Sequence, residues 1–229
     1  MTQIAAVILA AGMSKRMGHP KQLMQLGGKP LFVHAVELAH RTGLSPIVVV
    51  VGPHQDKLAQ HLQGLPVKLA ANPSFESGMA SSLSAGIRAL QNESFAAAAS
   101  VEAATSPDTA TSRDTAASIE AAFVFLADQP FIPDFVIAEL THAYRQRRQE
   151  GIRIVRPRYA NQAGHPVLFD AQVFPSLLGV TGDEGARSLI AREADRVAYV
   201  PFDNELWGMD IDTPEQWSTA QEVFEKGSP

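Results

Sequence analysis

No cysteine occurs among the 229 residues, so the chain has no disulfide, no thiolate metal site and no cysteine nucleophile. Positive charge is also scarce: 19 Lys and Arg against 24 Asp and Glu leave −5 at pH 7. That balance gives no general reason to expect nucleic acid or an anionic membrane as a partner. The one basic run, Arg145, Arg147 and Arg148, reads as the solvated end of a helix, where cations are favoured. The N-terminus lacks the basic stretch and cleavage site of a signal peptide, and a cytoplasmic location is the expectation. Several catalytic signatures are missing too: Gly-x-Ser-x-Gly and His-Glu-x-x-His do not occur.

What the chain does contain begins at its N-terminus. Ile4–Ala10 is wholly apolar, too short to cross a membrane, and reads as a buried strand. It breaks at Gly12 into a loop carrying Lys15, Arg16 and Lys21. A buried strand that delivers glycine and cations to its C-terminal end is how open α/β sheets present a phosphate site. The loop is neither of the two commonest phosphate motifs. Gly12 is followed next by Gly18, which breaks the dinucleotide spacing, and Gly18 is followed by His19-Pro20 rather than Lys-Ser/Thr.

Strand and helix patterns alternate afterwards. A helix is expected from Pro30 to about Arg41, a strand at Ile47–Val51, a short helix at His54–Leu62 and a strand at Val67–Ala71. This order predicts an α/β fold, a doubly wound and mostly parallel sheet with helices on both faces, in a single domain spanning 1–229. Ser77-Gly78-Met79-Ala80-Ser81-Ser82 then opens a helix, either as a cap or as a ligand contact after a strand end. The stretch at about 96–120 is Ala, Ser, Thr and acid, and reads as a mobile surface insertion, helical in part at its alanine runs.

Ala122–Ala127 is a further buried strand delivering Asp128-Gln129-Pro130. An acid there is costly unless it is solvated, capping a helix or binding a cation. Arg153–Pro157 and Arg196–Val200 read as strands, and Gly164-His165-Pro166 as a turn into another. His165 reads equally as a structural imidazole or a site residue. Gly182-Asp183-Glu184-Gly185-Ala186-Arg187 is either a plain turn or an anion-binding helix start. Asp210 and Asp212 project to one side of an extended segment, which calls for a cation or arginine between them; capping by Asp212 or Thr213 leaves Asp210 unexplained.

Taken together, LAAGMSKRMGHPK, SGMASSL, DQP, GHPVLF, GDEGAR and DIDTPE resemble the molybdenum cofactor cytidylyltransferases, a branch of the MobA-like, GT-A-like nucleotidyltransferase superfamily. The resemblance implies transfer of CMP from CTP to the terminal phosphate of molybdopterin, with release of pyrophosphate. The neighbouring alternatives are guanylyl transfer to the same pterin and a non-catalytic chaperone presenting cofactor to a molybdenum hydroxylase. It further implies that Leu9, Ala10, Ala11, Gly12, Arg16, Lys21, Ser81 and Ser82 bind the nucleotide, with Arg16 and Lys21 catalytic. Asp128 and Asp212 are then ligands of Mg²⁺, Asp210 is a supporting acid, and His165 and Arg187 face the acceptor. The implied partners are CTP, the molybdopterin-type acceptor and a receiving molybdenum hydroxylase, with neither nucleic acid nor membrane.

Overall fold

The computed structural model describes residues 2–14, 17–103 and 118–227, with residues 93–103 described by their backbone alone. The elements are β1 (Gln3–Leu9), β2 (Gln25–Leu26), β3 (Lys29–Pro30), α1 (Leu31–Arg41), β4 (Ile47–Val51), α2 (Gln55–Gln60), β5 (Val67–Ala71), α3 (Met79–Ala103), β6 (Ile119–Leu126), α4 (Asp134–Arg147), β7 (Ile154–Tyr159), β8 (Gln162–Ala163), β9 (Val167–Asp170), α5 (Phe174–Leu178), α6 (Arg187–Arg192), β10 (Val197–Phe202) and α7 (Pro214–Glu225). Short 3₁₀ turns join several of them.

The main sheet runs β10-β7-β9-β6-β1-β4-β5, with β8 appended to β7. Along that path every neighbouring pair is parallel except those made by β9, which runs antiparallel to both β6 and β7. The chain moves outward from β1 through β4 to β5, then returns to place β6 on the other side of β1. The carboxyl ends of β1 and β6 therefore meet at the point where strand order reverses, the crevice in which open α/β sheets bind ligands.

Alternation along β1 divides the core between two faces. Ala6 and Ile8 pack with Phe32 and Val36 of α1 and with Val136 and Leu140 of α4. Ala5 and Val7 pack with Leu83, Ile87 and Leu90 of α3 and with Phe174 and Leu177 of α5. Each fully buried aliphatic or aromatic side chain contributes about 1.5–3 kcal/mol through loss of apolar surface. A close approach is needed on the second face: a Cβ on Gly86 of α3 would stand 2.3 Å from Val7 Cγ1. A third cluster, of Leu26, Leu31, Phe131, Ile211 and Ala220, seats α7 against the β2–β3 hairpin. No helix among the described residues is long and apolar enough to cross a membrane.

The segment at about 96–120 is partly helical where the structure describes it. At its near end α3 continues to Ala103, and at its far end Ile119 and Glu120 already belong to β6. Residues 104–117 lie outside the described residues. The basic end of α4 is more than a solvated face. Arg148 donates to the buried carboxylate of Asp170 at 2.9 Å and to Glu120 at 3.2 Å, while the Tyr144 hydroxyl donates to Asp170 at 2.8 Å. A buried aspartate requires such partners, and α4 together with the residue that ends it supplies them.

Candidate active site

The loop behind β1 is shaped from beneath by a residue that sequence patterning passes over. Gln22 is 4% exposed, and its amide donates to the carbonyls of Ala10, at 3.1 Å, and of Gly12. Its own carbonyl accepts from the Ser14 hydroxyl at 3.1 Å, and that hydroxyl accepts from the Lys21 backbone N–H at 3.0 Å. The chain is thus folded back so that Lys21 returns to the strand end. Gly12 does not occupy the left-handed region, and a Cβ there would meet nothing within 4 Å. A glycine that neither turn nor packing requires keeps the backbone open to the cleft, as close approach to phosphate demands. Arg16, expected beside it, lies outside the described residues.

The Lys21 ammonium stands 2.5 Å from Asp128 Oδ2 and 2.5 Å from Asp212 Oδ1. Burial lowers its pKa, the two carboxylates raise it, and the net direction is upward, so Lys21 stays charged. Asp128 follows β6 directly. Asp212 lies in the loop that enters α7. That loop is held at both ends. Ile211, fully buried, donates its backbone N–H to the Asp128 carbonyl at 3.1 Å. Thr213 caps α7 through Gln216, whose side chain in turn accepts from the N–H groups of Asp212 and Thr213. The cap is therefore supplied by Thr213, and the Asp212 carboxylate faces Lys21 instead. Asp210 accepts from the Gln129 amide at 2.7 Å. Burial, followed by the nearby Asp128 carboxylate, lifts its pKa to about 6.

The start of α3 is tied to the end of β5 by Asn72, which donates to Ser81 at 2.8 Å and to Ser82 at 3.0 Å. The two serines then divide. Ser81 donates to the carbonyls of Ser74 and Gly78 and does not line the cleft, whereas Ser82 does. At the opposite end, the Tyr159 hydroxyl donates to the His165 carbonyl at 3.0 Å. Gly164 and Gly208 leave room for the Tyr159 ring, since a Cβ on either would come within 2.6 or 2.3 Å of it. Burial, with Arg156 and Arg187 nearby, holds the His165 pKa down to about 4. Arg156 is a further cleft residue that sequence reading missed; an isolated arginine inside a strand carries no motif.

One cleft of about 1200 Å³ is lined by Leu9, Ala10, Ala11, Gly12, Lys21, Ser82, Asp128, Asp210, Asp212, His165 and Arg187. It is large enough for two ligands side by side, and it gathers every described residue expected at the site except Ser81. Chemically it offers open backbone with the Lys21 ammonium and the carboxylates of Asp128, Asp210 and Asp212, and also the His165 imidazole and the Arg156 and Arg187 guanidinium groups, with Glu76, Asp183, Glu184 and Glu205 in the same lining.

Comparison with known proteins matches the chain along most of its length. The model of the MobA-like NTP transferase domain family matches residues 6–197. Nicotine blue oxidoreductase of Paenarthrobacter nicotinovorans is 27% identical over 218 residues, covering 93% of this chain and 94% of that protein. Among solved structures, the Rv0371c homolog from Mycobacterium sp. strain JC1 superimposes with a TM-score of 0.71 at 26% identity, covering 97% of both chains. Rv0371c of Mycobacterium tuberculosis H37Rv, solved in complex with manganese, superimposes with a TM-score of 0.67 at 21% identity, covering 96% of this chain and 98% of that one. With the family model spanning β1 to the start of β10, the chain belongs to the MobA-like NTP transferase domain family and is a nucleotidyltransferase of the GT-A-like superfamily.

Proposed function

We propose that the protein transfers CMP from CTP to the terminal phosphate of a molybdopterin-type acceptor, releasing pyrophosphate, with Mg²⁺ as its metal. The observation that carries this reading is one ammonium, Lys21, set between two carboxylates from distant parts of the chain, beside an open backbone loop at the switch point of the sheet. Transfer to a nucleotide α-phosphate needs alignment and charge neutralisation more than a protein nucleophile. An oxygen of the acceptor phosphate attacks the α-phosphorus. The bond from that phosphorus to the bridging oxygen breaks, and pyrophosphate leaves with the electron pair.

In this reading Ala11 and Gly12 donate backbone N–H groups to the triphosphate, above a floor formed by Leu9 and Ala10. Arg16 and Lys21 hold its charge, and Ser82 faces the base, with Ser81 bracing the start of α3 through its bonds to the Ser74 and Gly78 carbonyls. His165 and Arg187 face the acceptor. The residues also fit a divalent cation. Asp128 keeps one buried carboxylate oxygen that has no hydrogen-bond partner among the described residues. Its other oxygen and one of Asp212 reach a single small cation, the Lys21 ammonium. Mg²⁺ is usually held by one or two carboxylates together with phosphates and waters, which matches the pair Asp128 and Asp212. Asp128 and Asp212 would hold Mg²⁺, which would supply positive charge to the reacting phosphates. With the carboxylates so neutralised, Lys21 would be free to hold the charge of the triphosphate. Within the same proposal, 1–229 work as one domain in the cytoplasm, and the product passes to a molybdenum hydroxylase.

The test is pyrophosphate release over the four nucleoside triphosphates with Mg²⁺, with and without molybdopterin. Release with CTP and acceptor alone supports the reading, and equal or faster release with GTP overturns the cytidylyl assignment. The name of the Paenarthrobacter relative favours a second reading, an oxidoreductase using the same cleft. No release with any nucleotide, together with electron transfer to an added acceptor, would favour that one.

A further inference from the structure

We propose that Arg156 and Arg187 form the anion-recognition element of the acceptor half of the cleft, taking an organic phosphate or similar dianionic group of the acceptor, with His165 beside them as a neutral hydrogen-bonding partner. The assignment of this half to the acceptor rests on the proposed function; the anion preference rests on the residues themselves.

The two arginines come from different elements, Arg156 from β7 and Arg187 from the start of α6, and both line the cleft. They lie close enough that Arg187, after burial, helps lower the pKa of Arg156, and both lower that of His165. Arg41, Arg147, Arg148 and Arg196 each pair with an Asp or Glu at 3.3 Å or less, while Arg153 is held by Gln172 and backbone carbonyls and Arg158 lies over the Tyr199 ring. Arg156 and Arg187 make no such pair among the described residues, although Asp183 and Glu184 line the same cleft. Arg156 donates one bond, to the Gly164 carbonyl at 3.1 Å, and its Nε is buried with no partner among the described residues.

Two like charges facing one cavity repel, and a buried guanidinium N–H without an acceptor is unfavourable. A phosphate removes both penalties at once, because its oxygens match the planar fork of arginine. The surroundings hold the pair in place. Ala80 donates to the Gly182 carbonyl at 3.1 Å, and a Cβ on Gly78 would stand 2.5 Å from that oxygen, so the loop leading to Arg187 is packed on the start of α3. On the other side Tyr159, accommodated by Gly164 and Gly208, fixes the His165 backbone. The anion element is thereby built onto the same helix start that presents Ser82.

Two measurements test this. In the transfer assay, Arg156→Gln and Arg187→Gln should each raise the acceptor KM about 10–100-fold, the loss expected for a hydrogen bond to a charged group, while the KM for CTP stays within about 3-fold. Separately, NMR of the His165 ring during titration with inorganic phosphate should show a phosphate-induced rise in its pKa, in wild type and in Lys21→Met, that both arginine variants lose. Arg187 is exposed, so Arg187→Gln keeps the test open if Arg156→Gln fails to fold. The phosphate titration needs no turnover and stands even if the nucleotidyl-transfer reading fails. An unchanged acceptor KM in a transferring enzyme, a KM effect confined to CTP, or a His165 ring indifferent to phosphate would overturn the proposal.

Discussion

Ile211 donates its backbone N–H to the carbonyl of Asp128 at 3.1 Å. This bond fastens the loop entering α7 to the end of β6, and it does so through main chain. The carboxylates on either side of it remain available to Lys21, which holds Asp128 and Asp212 at 2.5 Å each. Position and charge are therefore supplied by different atoms, and substitution can separate them.

Asp128→Asn keeps the carbonyl that receives Ile211, so its melting temperature should stay within a few degrees of wild type. Metal-dependent transfer should fall by about 10²–10³, the usual effect of losing one electrostatic stabiliser. Wild-type turnover at saturating nucleotide would remove Asp128 from the metal site.

Lys21→Met takes away the ammonium that neutralises both carboxylates. Without nucleotide, the variant should bind Mn²⁺ more tightly than wild type, because the ion no longer competes with a fixed positive charge. Electron paramagnetic resonance of free Mn²⁺ reads this directly. Equal or weaker binding would mean that Asp128 and Asp212 do not form a cation site.

Gln22→Ala leaves the Ala10 and Gly12 carbonyls without their donor. Stability should drop by about 1–3 kcal/mol, and the nucleotide KM should rise as the loop loses its support. Urea unfolding and steady-state kinetics report the two effects, and a rise in neither would deny Gln22 its scaffold role.

His165 gives the protein a pH dependence. Its pKa is about 4 in the fold against about 6.5 for a free imidazole. Between these values the unfolded chain binds the proton and the folded chain does not, so stability is full above pH 6.5 and is lost as pH falls toward 4. Wild type should lose on the order of 1–3 kcal/mol across this window by this group, and His165→Gln should lack that increment. Parallel urea-denaturation profiles for the two proteins at pH 4.5 and pH 7 would contradict it.

Within the proposed function, Ala11, buried and part of the cleft lining, narrows the space over the base. CTP should be preferred over GTP by roughly 10–200-fold, the range for steric discrimination of this size, and Ala11→Gly should narrow the gap. Competition between the two nucleotides in one assay measures the ratio. An unchanged ratio in the variant would place base choice elsewhere.

Much of this site was legible in the linear chain because its parts are local. A buried strand ending in Gly12, an acid placed directly behind β6 and a Thr-Pro helix start are short-range signals, set by hydrophobic run, backbone freedom and capping chemistry. The same signals, repeated in order, specify alternating strands and helices and hence a sheet with helices on both faces. What no local pattern carries is which end meets which. Gln22 looks like one more polar residue until its amide is found between two carbonyls of the preceding loop, and Arg148 looks solvated until Asp170 arrives from β9. Arg156 has no motif, and its importance depends on α6 bringing Arg187 to the same cavity. Apolar runs, glycine placement and capping residues in the linear chain were enough for most of the alternating strands and helices and for the loop behind β1. The meeting of Lys21 with Asp212, the separation of Ser81 from Ser82 and the unpaired arginines were decided by the tertiary structure, since each depends on burial and charge brought together across the fold rather than along the chain.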